Sequence, residues 1–304
     1  MIKYMVFRTT QIPIVLFLVT LMIFILVYIA GDPVAIMLPA DASVAEVEAM
    51  REALGFNEPF YVQFGNYIAD VVRGDFGDSY QYGYSALTLV LERLPATLEL
   101  AFASMIVAIG IAIPLGIISA LKPNTWIDSI ATALSVLGKA IPNFWLGIML
   151  ILVFAVQFQW FPVSGVGSIK HIILPAITLG TAMSAEITRL VRSNMIEILS
   201  QDYIRTARSK GNKMNTIVFK HAFRNALVPV ITVTLLQLAS LVGGSFITEM
   251  IFAWPGVGQL IIQAVYEKDL PVIQAAVFVT AILILLMNLI TDILYRVLDP
   301  RINL

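Results

Sequence analysis

A series of apolar runs, each near the roughly 20 residues an α-helix needs to cross a hydrocarbon layer, constrains this chain most. They fall near Thr10–Ala30, Thr97–Leu121, Ser129–Val156, Ile172–Leu190, Ala226–Ile247 and Val272–Leu294. No water is available inside a bilayer, so each backbone N–H and C=O must be paired within the segment, and runs of this kind predict helices. The predicted fold class is all-α, a polytopic membrane protein with about six transmembrane helices. The fourth run is the weakest, because "HIILPAITLGTAMSAEITRL" carries Pro175, Gly180 and Glu186. Composition agrees. Of 304 residues, 59% are hydrophobic and 13% charged, where a soluble domain has about 25% charged.

Lysine and arginine placement sets orientation. Lys3 and Arg8 precede the first run, and Lys122 follows the second. Arg192, Arg205, Arg208, Lys210, Lys213, Lys220 and Arg224 lie between the fourth and fifth, and Arg296 and Arg301 end the chain. The other side has Lys170 and Lys268, and a long loop in which ten carboxylates face only Arg51, Arg73 and Arg93. Both termini are thus predicted to be cytoplasmic. The first run exceeds a signal-peptide core of about 7–15 residues, and it reads as a retained signal-anchor.

Three regions follow: residues 1–30, the N-terminus and first transmembrane helix; 31–95, an extracytoplasmic loop; and 96–304, a five-helix core with a cytoplasmic loop at 191–225. The outer loop is too long to be a bare connector. In "SVAEVEAMREAL", Ser43 and Glu46 form a capping box and Gly55 is a stop. "YVQFGNYIADVV" predicts a second short helix and "RGDFGDSY" a turn.

The cytoplasmic loop holds "YIRTARSKGNKMN", starting at Tyr203, with Arg205, Arg208, Lys210 and Lys213 around Gly211. Ser200 is a candidate cap with Asp202 in the first turn, Arg208 and Lys210 suit the last turn, and Gly211-Asn212 is a stop. A second helix is predicted from Thr216 to Asn225. The positive-inside rule alone would place bases here, against anionic lipid. A helix, a glycine turn and a helix outside the bilayer also make a rigid knob, suited to a socket in a partner.

"RTARSKG" followed by "HAFRNALVP" resembles the cytoplasmic signature of the permease subunits of binding-protein-dependent ABC importers. The general signature is E-A-A, three residues, Gly, nine residues, then I-x-L-P. Here Arg205-Thr206-Ala207 stand at E-A-A, Gly211 at the glycine, and His221-Ala222-Phe223-Arg224 at I-x-L-P. These departures resemble the dipeptide, oligopeptide and nickel branch. So do "GDP" at Gly31–Pro33, "RGDFG" at Arg73–Gly77, "ERLPATLEL" at Glu92–Leu100, "IPNFWLG" at Ile141–Gly147, "FPVSG" at Phe161–Gly165, "FAWPGVGQL" at Phe252–Leu260 and "DPR" at Asp299–Arg301. The large first outer loop resembles the first of the two permease chains such systems use.

The resemblance implies the type I permease fold of ABC importers in a prokaryotic plasma (inner) membrane. The partners it implies are a second permease, one or two cytoplasmic ATPases and an extracytoplasmic solute-binding protein. Its cargo would be peptides, with nickel or a metal chelate and glutathione as alternatives. Tyr203, Arg205, Thr206, Ala207, Lys210 and Gly211 would couple to the ATPases. ATP and Mg²⁺ would be bound by those partners, since no G-x-x-x-x-G-K-[ST] cradle occurs in this chain.

Charges at bilayer depth are costly and mark candidate pathway or gate groups. Lys139 is one, with an ion pair to Glu186 or Asp292 as its structural alternative; Glu186, Asp292 and Glu249 are the others. Trp254 reads as an interfacial anchor, Pro255-Gly256 as a type II turn, and Pro142, Pro175, Gly147 and Gly180 as kink points. Cysteine is absent, which excludes disulfides and thiolate chemistry. His171 and His221 fall on opposite sides, and no catalytic or metal-ligating constellation emerges. A net charge of -1 gives no footprint for nucleic acid. The rival of another class is a self-sufficient secondary transporter, which predicts paired broken helices in inverted repeats; no such pair is found in the sequence.

Overall fold

The computed structural model describes residues 2–30, 42–53, 55 and 57–298. The Gly31–Pro33 and Asp299–Arg301 motifs lie outside the described residues, as do the side chains of Lys3 and Arg8. Among the described residues the chain is helical, with one isolated bridge between Asp78 and Ser85. The helices are α1 (Ile2–Ala30), α2 (Val44–Ala53), α3 (Phe60–Arg73), α4 (Ala86–Leu121), α5 (Trp126–Ala140) and α6 (Asn143–Leu150). Then follow α7 (Ile169–Leu199), α8 (Asp202–Ser209), α9 (Arg224–Gly244), α10 (Phe246–Ile251), α11 (Val257–Glu267) and α12 (Leu270–Leu298). π-Helical segments extend α6 over Ile151–Gln157 and precede α9 over Thr216–Phe223.

Among the described residues, four helices are long and apolar enough to cross a membrane: Thr10–Ile29, Ala86–Leu121, Thr216–Gly243 and Leu270–Leu294. A bent pair, Trp126–Ala140 and Asn143–Gln157, meeting at 98°, is long and apolar enough when taken together to form a broken span or a re-entrant loop. The run breaks at Pro142, which the sequence marks as a kink point: proline lacks an N–H and disfavours helical backbone at the residue before it, and Ile141 is extended at φ -76°, ψ 124°. The fourth predicted run is the 31-residue α7, long enough to span but less apolar than the rest. Pro175, in its second turn, leaves it unbroken.

The chain divides into two compact units, Met1–Ala96 with Pro255–Leu285 and Thr97–Trp254 with Leu286–Leu304. In the first, α1 is mostly exposed, and it packs on α3 through Phe24, whose ring lies 5.2–5.4 Å from those of Phe60, Phe64 and Tyr67. Val71, Phe76, Leu89, Val90, Leu260 and Val272 form the core. The capping box of α2 forms as predicted: the Glu46 carboxylate accepts from the Ser43 N–H at 2.7 Å and Ser43 Oγ accepts from the Glu46 N–H at 3.3 Å. Gly74 and Gly77 turn the "RGDFG" stretch in left-handed conformations, φ 78° and 80°.

In the second unit α7 is the central helix, packed on α5, α6, α9 and α10. Its polar composition hides how deeply it is buried. Thr178, Thr181 and Thr188 each donate to the carbonyl four residues back, at 2.7–2.8 Å, so their hydroxyls are satisfied within the helix. Small residues let neighbouring backbones approach. A β-carbon on Gly180 would stand 2.6 Å from the Ser104 carbonyl oxygen, and one on Gly138 would stand 3.1 Å from Thr181. Gly147 likewise faces the Phe252 ring. Gly147 and Gly180 are therefore close-packing points.

Candidate functional site

The knob between α7 and α9 is built from local signals. α7 ends at Leu199, and Gln201, with extended backbone, is the N-cap of α8, while Ser200 closes α7. This corrects the predicted cap by one residue: the Ser200 hydroxyl is turned back onto the Glu197 carbonyl at 2.6 Å. Asp202 lies in the first turn of α8 and Arg208 in its last, the order that the helix dipole favours. Gly211 adopts φ 77° and its N–H returns to the Arg208 carbonyl at 2.9 Å. Asn212 closes the turn by donating its side-chain amide to the Ala207 carbonyl at 3.0 Å.

α8 has two faces. Ile204 and Ala207 are buried and the helix packs on the Thr216–Phe223 segment. Tyr203 is half-exposed; its hydroxyl accepts from Asn225 Nδ2 at 2.9 Å, and that amide also donates to the His221 carbonyl at 3.1 Å. Arg205, Thr206, Lys210 and Gly211 are exposed. Arg205 stands 3.5 Å from Asp202 on the same face, with 76% of its side chain exposed. Of the six predicted coupling residues, only Ala207 faces inward. The predicted second helix is the π-helical segment at Thr216–Phe223, which runs into α9 without a break.

The polar groups of the spans resolve differently. Lys139 and Glu186 pair at 3.7 Å with both side chains about half exposed, the structural alternative foreseen for Lys139. Asp292 on α12 is half-buried. Glu249 has no exposed surface; one carboxylate oxygen accepts from Thr97 Oγ1 at 3.0 Å and from Ser245 Oγ at 2.8 Å. Trp254 is also buried, at 3% exposure, so it does not sit as an interfacial anchor. The "WPG" turn is not type II, because Gly256 has φ -94° and the left-handed residue is Ala253, at φ 45°.

One pair escapes sequence reading. Asp128 in the first turn of α5 accepts two hydrogen bonds from Arg192 of α7, Nε to Oδ1 and Nη2 to Oδ2, each 2.7 Å. The Asp128 side chain is 7% exposed. Ser119 Oγ and the Asn124 N–H also donate to it, the latter at 2.9 Å. The available signal was a lone carboxylate at the mouth of an apolar run, with an arginine at the end of another run on the same side.

Family models match nearly the whole chain. Residues 112–304 match the "binding-protein-dependent transport system inner membrane component" and residues 1–101 its N-terminal counterpart. The oligopeptide transport system permease protein AppB of Bacillus subtilis (strain 168) is 45% identical, with 100% of both chains covered. The glutathione transport system permease protein GsiC of Escherichia coli (strain K12) is 38% identical over 100% of this chain and 99% of its own. The dipeptide transport system permease protein DppB of Alkalihalophilus pseudofirmus is 39% identical over 90% and 91%. Among solved structures, a chain from the inward-facing MetNI methionine ABC transporter superposes with a TM-score of 0.60 at 21% identity. The match covers 69% of this chain and 96% of that one, and it carries the fold alone. The chain belongs to the family of binding-protein-dependent transport system inner membrane components, multi-pass proteins with the type I permease fold of ABC importers.

Proposed function

We propose that this chain is the first of two permease subunits of an ATP-driven importer of short peptides, and that α8 is the element on which a partner ATPase docks. The observation that carries this reading is the two-faced α8: an apolar underside, Ile204 and Ala207, seated on the Thr216–Phe223 segment, and an exposed polar face with Arg205, Thr206 and Lys210. A short helix held on one side and left free on the other transmits force. ATP and Mg²⁺ bind the ATPases, whose closure moves α8 and rocks the spans between inward-open and outward-open states. A solute-binding protein delivers the cargo from the far side, and both termini of this chain lie in the cytoplasm.

Peptide cargo is supported by the relatives: AppB, DppB and GsiC are described as oligopeptide, dipeptide and glutathione permeases, and glutathione is itself a peptide. Lys139, Glu186, Asp292 and the fully buried Glu249 are the charged pathway or gate candidates. The test is uptake into proteoliposomes holding this chain, its second permease and the ATPases, with loaded binding protein outside and ATP inside. Labelled dipeptide, oligopeptide, glutathione and nickel are compared. Binding-protein- and ATP-dependent uptake of a peptide is expected. Uptake of nickel alone would replace the cargo, and ATP-independent uptake by this chain alone would replace the mechanism with secondary transport.

A further inference from the structure

We propose that the Asp128–Arg192 pair is a positioning joint that passes movement of α8 into the α4–α5 hairpin; the proposal rests on the coupling reading of α8 given above. Arg192 lies on α7, which runs without a break to Leu199 and reaches α8 two residues later. Any displacement of α8 therefore acts on the end of α7. At that end, α7 is tied to the hairpin in two ways.

The first tie is the bidentate contact at 2.7 Å for both bonds. A planar guanidinium fork on a carboxylate fixes direction as well as distance, so neither helix can rotate against the other without losing a bond. Asp128 is saturated: Ser119 from the last turn of α4, the backbone of Asn124 from the connecting turn, and Arg192 all converge on it. One nearly buried carboxylate thus holds the end of α4, the turn, the start of α5 and α7 together. The second tie is steric. A β-carbon on Gly116 of α4 would stand 2.7 Å from the Val191 side chain and 3.0 Å from the Thr188 carbonyl, so α4 meets α7 in close contact beside Arg192.

The pair is partly buried, with the Asp128 side chain 7% and that of Arg192 30% exposed; such pairs contribute little net stability over apolar packing of the same shape, and their best-attested use is to fix register. The other attachments of α8, through Tyr203 and the Thr216–Phe223 segment, lead to α9. α7 packs on α4 and α5 along its length, and at the end nearest α8 the Asp128–Arg192 contact is the directional link through which the same movement reaches both.

The test uses the complete importer in proteoliposomes and reads peptide imported per ATP hydrolysed, alongside assembly of the complex. Arg192→Lys keeps the charge and loses the fork; Asp128→Asn keeps the shape and loses the charge. Both complexes are expected to assemble and to hydrolyse ATP, with peptide per ATP falling about tenfold or more, the size of an ordinary coupling free energy. A wild-type ratio in assembled Arg192→Lys complex would overturn the proposal, as would failure of both variants to assemble, which assigns the pair to folding. If the wild-type complex showed no ATP-driven uptake, the importer reading itself would fall.

Discussion

Gly180 of α7 lies directly against the backbone of α4, where a β-carbon would stand 2.6 Å from the Ser104 carbonyl oxygen and 2.9 Å from the Val107 β-carbon. Backbone cannot step aside as a flexible side chain can. Gly180→Ala is therefore expected to destabilise by about 1–3 kcal/mol through overpacking. Gly65→Ala is the control: that helical glycine has nothing within 4 Å, and alanine there should be neutral or stabilising by up to about 1 kcal/mol. Thermal inactivation of the two purified proteins side by side checks the contrast.

Gly211 is constrained by conformation alone. Its φ is 77° and an added β-carbon would meet nothing within 4 Å, so the cost of Gly211→Ala is that of a left-handed non-glycine residue, about 1–2 kcal/mol. Asparagine tolerates that region better than alanine, and Gly211→Asn should retain more uptake than Gly211→Ala at equal membrane abundance. Equal loss in the two variants would argue against a conformational role.

Both of these glycines stand out in the sequence, but for different reasons, and the difference marks what a sequence can disclose. Gly211 ends a helix whose charges already announce its polarity, and Ser43 with Glu46 announces a capping box; such signals span only a few residues. The break at Pro142 is equally local, though its 98° bend depends on what α6 packs against. α7 reads as the weakest run because its threonines lower its hydropathy while bonding to their own backbone. Asp128 and Arg192 could not be paired from sequence, because only the packing of α5 on α7 brings them together. Glu249 stands out in the sequence as a carboxylate next to an apolar run, but its burial and its hydrogen bonds to Thr97 and Ser245 depend on the packing of α10 on α4.

Removing the Glu249 carboxylate takes away the acceptor shared by the hydroxyls of Thr97 and Ser245, residues that are each 1% exposed. Glu249→Ala should cost about 2–4 kcal/mol, from stranded buried donors and the cavity left behind, and reduce the amount of folded protein in the membrane. Glu249→Gln, which keeps one acceptor oxygen, should cost less. Identical behaviour of the two would place the importance of Glu249 elsewhere.

Orientation is open to a direct check, because the chain has no native cysteine. Single cysteines at Ser209 and at Ser43, both exposed, should react with a membrane-impermeant thiol reagent from opposite sides. Ser209→Cys is expected to label only when the reagent reaches the cytoplasmic face, and Ser43→Cys in sealed cells whose outer barrier has been opened. Labelling of both from one side would remove the predicted topology.

The half-exposed Lys139–Glu186 pair, at 57% and 51% exposure, should contribute under about 1 kcal/mol to stability if it is water-accessible. Lys139→Gln and Glu186→Gln are thus expected to fold normally. A selective rise in the peptide concentration needed for half-maximal uptake would assign the pair to the pathway, and unchanged uptake would leave it a surface contact.

On the proposed function, the exposed face of α8 meets an ATPase. The most direct test of that contact is a photo-crosslinking residue placed at Arg205 in the assembled importer in native membranes, with Phe219, whose side chain is also exposed, as comparison. A crosslink from position 205 to an ATPase subunit is expected, weakening when nucleotide changes the state of the complex. Crosslinks from position 205 to lipid alone, with the ATPases present and the complex intact, would contradict it.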